Sequence, residues 1–213
     1  MTTKKYEFTG ETKMWFGRTV YRIKALVKIE KYDVEIGELG GWIEKEDNLS
    51  HYNNAWVYGD ACVSGNAWVY GDARVSGNAR VSGNAWVKKS EHILTVGPIG
   101  SRRAYTTFFN CKDGQIGVVC GCFLGDIYKF VEQVEKTHGD AKHAVVYRAA
   151  VALALEHIEP EKNGGIIHMP TGIHEVKIHQ TRGHWEVYVN GEFFCSADSY
   201  TEAVNELFET YGD

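Results

Sequence analysis

From residue 57 to residue 86 one pattern of apolar and polar positions recurs every six residues without a gap. The five hexads are Val57-Tyr58-Gly59-Asp60-Ala61-Cys62, Val63-Ser64-Gly65-Asn66-Ala67-Trp68, Val69-Tyr70-Gly71-Asp72-Ala73-Arg74, Val75-Ser76-Gly77-Asn78-Ala79-Arg80 and Val81-Ser82-Gly83-Asn84-Ala85-Trp86. A degenerate hexad, His51-Tyr52-Asn53-Asn54-Ala55-Trp56, precedes them, and Val87 starts another that breaks off at Lys88-Lys89. Period six matches no helical stripe, and a glycine in every repeat costs a helix about 1 kcal/mol each. Each hexad therefore reads as a short strand and a corner. The β-branched valine buries its side chain on a pleated surface. The Gly-Asn/Asp pair accepts left-handed backbone angles at the corner. One hexad cannot bury its own valine, so the units must stack.

Outside the array the periodicity changes. Residues 5–9 and 18–29 alternate polar and apolar and predict strands. The segment Gly37-Glu38-Leu39-Gly40-Gly41-Trp42-Ile43 leads into the repeats, with Trp42 expected as a lid over the first coil. Strands are predicted over 105–109 and 116–119, joined by the hairpin signal Asn110–Gly114. Apolar spacing at Ile127, Phe130, Val131 and Val134 predicts a helix over 126–138. Gly139 ends it, and Asp140 is placed to cap a second helix over 141–157. In that helix Val145, Ala149, Ala152 and Leu155 fall on one side. A charged linker, 159–165, precedes strands at 173–179, 185–189 and 192–195, with Asn190-Gly191 as a type I′ turn signal. Ser199-Tyr200-Thr201-Glu202 is a capping box for a final helix carrying Ala203, Val204, Leu207 and Phe208.

The hexads resemble the repeat of left-handed parallel β-helices. That resemblance implies three hexads per triangular coil, so residues 18 apart lie above one another. From Ile43 to Val87 this makes two to three coils, and the open ends of so short a prism must be covered. The expected fold is mainly β with α+β modules. An N-terminal β cap (1–42) leads into a short left-handed parallel β-helix (43–97). A ββαα unit (98–160) and a three-stranded meander plus helix (161–213) follow.

A broader resemblance rests on Gly40-Gly41-Trp42-Ile43-Glu44-Lys45-Glu46 feeding the Val-Tyr-Gly-Asp-Ala hexads. It continues in Cys120-Gly121-Cys122-Phe123-Leu124-Gly125 with Lys136-Thr137-His138-Gly139-Asp140, and in the run from Tyr188 to Asp198. These strings are similar to bacteriophage and prophage proteins that combine hexapeptide arrays with small appended modules. The resemblance implies a mobile-element origin and brings no assigned chemistry.

Composition is that of a globular chain: 213 residues, 44% hydrophobic and 24% charged. No apolar run reaches the roughly 18 residues that cross a bilayer, and no secretory signal is read at the N-terminus. Five cysteines without an export signal predict reduced thiols and a cytoplasmic location, the host cytoplasm if the chain is phage-encoded. The net charge of −5 argues against general nucleic-acid binding. The charge is uneven: residues 51–90 hold 4 cations and 2 anions, residues 161–213 hold 3 and 9.

Candidate chemistry is sparse. Many hexapeptide-repeat proteins are acyl- or acetyltransferases with a catalytic histidine on a protruding loop. Residues 57–86 hold no histidine and no insertion, although His51 and His92 flank the array. Cys111, Cys120, Cys122 and His138 (or His143) are the metal candidates; the Cys120-Gly121-Cys122 spacing departs from the two-residue gap of a zinc knuckle. His168, His174, His179 and His184 share no ligand spacing. The last residue of each hexad points outward, so Trp56, Cys62, Trp68, Arg74, Arg80 and Trp86 form outer ladders, with Arg74 over Trp56 and Trp86 over Trp68. Tyr58 and Tyr70 join them at the second hexad position. Trp, Tyr and Arg dominate binding hot spots. Trp56, Tyr58, Trp68, Tyr70, Arg74, Arg80 and Trp86 are thus the expected binding residues. Their alternatives are packing on the other modules or a sister subunit. The expectation is a non-enzymatic binding protein without cofactor, a homo-oligomer (trimer or dimer) that inhibits or sequesters a host defence protein. The alternatives are an acyltransferase and a nucleotide-sequestering oligomer.

Overall fold

A computed structural model of the protein describes residues 4–139, 141–158, 165–168, 175–181, 184–198, 206 and 210. The described chain is mainly β, with two helices and several small sheets.

Strands β1 (Tyr6–Trp15) and β2 (Arg18–Ala25) form an antiparallel hairpin with Trp15 opposite Arg18. Its two turn residues, Phe16 and Gly17, both have positive φ, 45° and 73°, which matches the right-handed twist of the flanking strands. Strand β3 (Leu39–Ile43) pairs antiparallel with β2, placing Tyr21 opposite Ile43.

The hexads then wind as the pattern predicts. Strands β4 (Trp56–Val57), β5 (Cys62–Val63), β6 (Trp68–Val69), β7 (Arg74–Val75), β8 (Arg80–Val81) and β9 (Trp86–Val87) are two residues each. They pair in parallel as β4·β7, β5·β8 and β6·β9, so Val57 lies on Val75, Val63 on Val81 and Val69 on Val87. Every one of these valines is buried, as are Ala61, Ala67, Ala73, Ala79 and Ala85. Each pair is closed by backbone bonds between coils, such as Tyr58 N–H to Val75 O (2.8 Å) and Tyr70 N–H to Val87 O (3.0 Å). Strand β3 adds to the first column in parallel, Ile43 on Val63, so hairpin and solenoid share one sheet ordered β1-β2-β3-β5-β8.

The first coil departs from the expected period. Ile43 pairs with Val63 and Leu49 bridges Val69, so this coil is longer than the 18-residue repeat that joins Val57 to Val75. Leu49, and not His51 at the head of the degenerate hexad, fills the inward place above Val69, and residues 50–54 loop out. Two side chains hold that loop. Asn48 is buried and donates to the carbonyls of Gly65 (3.2 Å) and Ala67 (2.8 Å) while accepting from Lys45 N–H. Lys5 Nζ donates to Ala55 O (2.6 Å), with the carbonyls of Tyr52 and Asn53 at 3.4 Å.

The far end is covered by an antiparallel sheet of β10 (Ile93–Ile99), β11 (Ala104–Asn110), β12 (Ile116–Cys120) and β13 (Phe123–Asp126), in that order. Successive residues of a strand face opposite sides. Phe109 and Val119 accordingly enter the solenoid core, while Phe108 and Val118 pack on the helices α1 (Ile127–His138) and α2 (Lys142–His157). The expected ββαα unit is therefore four strands and two helices. The flanking strands escape a pattern search because one carries Gly97-Pro98 and the other is only four residues with a glycine.

Helix α1 ends at Gly139 as expected, while Asp126, expected as its first residue, is its cap and accepts the Lys129 N–H. Helix α2 buries Ala144, Tyr147, Ala150, Ala154 and Leu155, whereas Val145, Ala149 and Ala152 face outward. Apolar residues surround most of this helix, so packing against Phe130 and the sheet selects the face, not the period. The last sheet holds β14 (Gly165–His168), β15 (Glu175–Thr181), β16 (His184–Val189) and β17 (Glu192–Ala197), one strand more than the expected meander. Val187, Val189 and Ala197 join the helical core. The 159–164 part of the linker, Asp140 and the capping box at 199–202 lie outside the described residues, as do Ala203, Val204, Leu207 and Phe208. Among the described residues no helix is long and apolar enough to cross a membrane.

Candidate functional site

The outward residues of the hexads divide among three columns, and each column meets a different neighbour. Trp68 and Tyr70 flank the inward Val69, so strand alternation brings both to the outer side of the β6·β9 column. Their rings stack at 4.1 Å with 11° between planes. Trp86, directly paired with Trp68 in the next coil, lies 6.1 Å from it at 28° and 5.9 Å from Tyr70. Trp68 keeps 39% of its surface exposed. Lys112 brings its ammonium 5.8 Å from the Trp86 ring, in the range of a cation–π contact. It is held there because its backbone N–H donates to Asn84 O (3.0 Å). Asn66, Trp68, Asn84, Ala85, Trp86 and Lys112 together line an open groove of about 450 Å³ containing no carboxylate. Lys112 was not legible as a site residue, since it arrives from the hairpin turn of another module.

The remaining predicted residues are not part of this shelf. Trp56 is fully buried: the Tyr6 ring meets it edge-on at 6.4 Å, and a Cβ on Gly40 would stand 2.8 Å from its ring. The hairpin that covers the first coil converts an outward tryptophan into core. Arg74 does lie over Trp56, but it is exposed and turns to the Tyr58 ring, 5.0 Å away. Tyr58 in turn donates its hydroxyl to Tyr32 O (3.1 Å). Arg80 is half-buried over the Trp15 ring at 4.5 Å. Cys62 is buried with Val20 and Trp42. Trp42 is an outward member of the first column, with Lys13 4.3 Å and Arg22 5.2 Å from its ring, and so is no lid over the interior.

The cysteine and histidine candidates scatter. Cys111 bridges the solenoid at Ala85, and burial, with Asp113 nearby, pushes its thiol up to about 12. Cys120 accepts from Thr106 Oγ1 (3.2 Å) and donates to the Tyr147 hydroxyl (3.8 Å); Cys122 is exposed. His138 stacks on Tyr147 at 5.9 Å, with His143 at 5.8 Å. Among the described residues no three His, Cys, Asp or Glu groups converge in a way that holds a metal ion. His51 stacks under Tyr6 at 4.3 Å and accepts from Lys5 N–H (3.2 Å); burial lowers its pKa. His92 is buried and accepts from Lys88 N–H (3.4 Å). Both histidines that flank the array thus serve packing contacts. The side chains of His168, His174 and His179 lie outside the described residues, and His184 stands 3.4 Å from the Glu186 carboxylate.

No curated protein matches the chain. A family profile described as YdcK Beta solenoid repeat matches residues 73–88, the stretch that carries β7, β8 and β9, so the chain is similar to repeat proteins of the β-solenoid kind in that stretch.

Proposed function

We propose that the protein is a non-catalytic binding protein whose contact surface is the Trp68–Tyr70–Trp86 shelf, and that its partner is a host protein. The observation that carries this is a contiguous stack of three aromatic rings on one column, Trp68 exposed and Tyr70 and Trp86 half-buried, edged by the Lys112 ammonium. A prism that needs only to fold is served by serine or threonine at these places, whereas large rigid rings dominate the energetic centres of protein interfaces. The likeness to phage and prophage hexapeptide proteins supports a mobile-element origin, a left-handed winding of the coils and action in the host cytoplasm as an inhibitor of a defence factor. The same shelf serves self-association into a dimer or trimer if the partner is a second copy.

The test compares wild type with the Trp68→Ala/Trp86→Ala double variant by affinity capture from bacterial lysate and by light scattering, with circular dichroism as the folding control. Loss of a captured protein, or of a mass above 24.0 kDa, in the folded variant supports the shelf. Capture and mass unchanged by the substitutions overturn it.

A further inference from the structure

Around the corner from the shelf, a second groove of about 330 Å³ opens between three elements. The hairpin tip contributes Trp15 and Phe16, the first solenoid column contributes Ser82 and Gly83, and β13 contributes Leu124. This corner already holds one carboxylate. Glu44 follows Ile43 in the first coil, and its Oε2 accepts the Gly65 N–H at 2.6 Å. Arg18 grips the same group at 2.8 and 3.1 Å. Burial raises the Glu44 pKa, but these donors outweigh it and hold the carboxyl below its usual range.

Gly83 repeats Gly65 one coil later, with φ 67° against 68°, so its N–H stands in the same corner geometry. The residue that takes Glu44's place relative to Gly83 is Ser64, too short to cover it, and the Ser64 hydroxyl donates instead to Ser82 Oγ (3.1 Å). Among the described residues Gly83 N–H therefore has no acceptor. Arg80 lines this groove without a carboxylate partner among the described residues, its guanidinium braced on Trp15 at 4.5 Å. Arg18, Lys45 and Arg80 face the groove against the single carboxylate of Glu44. Above the polar floor stand two exposed apolar side chains, Phe16 (56%) and Leu124 (54%); Leu124 Cδ1 is 3.7 Å from where a Gly83 Cβ would be.

We infer that this groove is a binding site for an apolar carboxylate, its oxygens received by Gly83 N–H and Arg80 and its apolar part held between Phe16 and Leu124. The chemistry is that of the C-terminus of a peptide ending in a hydrophobic residue, or of a free arylalkyl acid. A backbone N–H in left-handed conformation beside a guanidinium is a fixed anion receptor, and the Glu44–Gly65–Arg18 contact is its occupied counterpart in the same column. The site is independent of the aromatic shelf.

The test is a titration of the ¹⁵N-labelled protein with N-acetyl-Leu-Phe, its C-terminal amide, and 3-phenylpropionate. The Gly83 amide should move downfield with both acids and stay in place with the amide, while Gly77, on another corner, should not respond. Tighter binding of the dipeptide acid than of phenylpropionate identifies the peptide terminus as the source; equal binding identifies the free acid. Arg80→Gln should weaken binding at least tenfold, and Phe16→Ser, at the exposed hairpin tip, should do so severalfold. No response at Gly83, or an amide that binds as well as the acid, overturns the assignment.

Discussion

Two glycines at the same place in neighbouring hexads should answer differently to one added methyl group. Gly71 and Gly77 have nearly equal φ, 61° and 67°, so alanine at either pays the left-handed backbone penalty of about 1–2 kcal/mol. Around Gly77 a Cβ meets nothing within 4 Å. At Gly71 it would stand 2.8 Å from Lys88 O and 3.2 Å from Lys88 Cγ. The side-chain atom can swing away, but the carbonyl cannot move freely, because it accepts the Asp72 N–H at 3.0 Å. Either the contact is compressed or that bond between coils is lost, a further cost of about 1–3 kcal/mol. Gly77→Ala should therefore cost about 1–2 kcal/mol and Gly71→Ala about 2–5 kcal/mol. The gain from stiffening the unfolded chain is the same in both and cancels in the difference. Urea unfolding followed by tryptophan fluorescence reads it well, since Trp15, Trp42, Trp56, Trp68 and Trp86, of six in all, lie in the hairpin and solenoid. Equal losses in the two variants would refute the claim that stacking of the coils, and not backbone conformation alone, demands glycine at 71.

Two further outcomes follow from burial. Val69 is fully enclosed between Leu49 and Val87, so Val69→Asp places a carboxylate without a partner in the core and should abolish folding; a wild-type circular dichroism spectrum would contradict this. Burial lowers the Lys5 pKa to about 8, against roughly 10.4 in an unfolded chain. Below about pH 7 both states are protonated and the effect on pH dependence is nil. Between about pH 8 and 10 the unfolded chain binds more protons, so this residue makes stability rise with pH, by at most about 1.4 kcal/mol per pH unit. The raised pKa values of Cys111 and Tyr6 act in the opposite sense at the alkaline end. Subtracting urea stabilities of Lys5→Met, measured at pH 7, 8, 9 and 10, removes their contribution, and a flat difference would show that Lys5 is not desolvated.

The repeat carries its own geometry. Valine, glycine and alanine at positions one, three and five of each hexad specify strand, corner and tight inner turn within six residues, so the inward valines and the pairs Trp56–Arg74 and Trp68–Trp86 are legible before any coordinates. Strands and caps with strong local signals, such as the Gly139 end of α1, are equally plain. Exposure is another matter. Trp56 and Trp68 occupy the same hexad position with the same neighbours in sequence, yet one is core and the other surface, because only the first coil lies beneath Tyr6, Ile23 and Gly40. No local pattern records that a hairpin forty residues upstream will fold over it. The two grooves have the same origin. One needs Lys112 from a distant turn beside Trp86, and the other needs Phe16 and Leu124 brought to Gly83. Hexad chemistry determines which way a side chain leaves the solenoid; long-range packing of hairpin and sheet against particular coils decides whether it meets solvent, protein or a cavity that a ligand can fill.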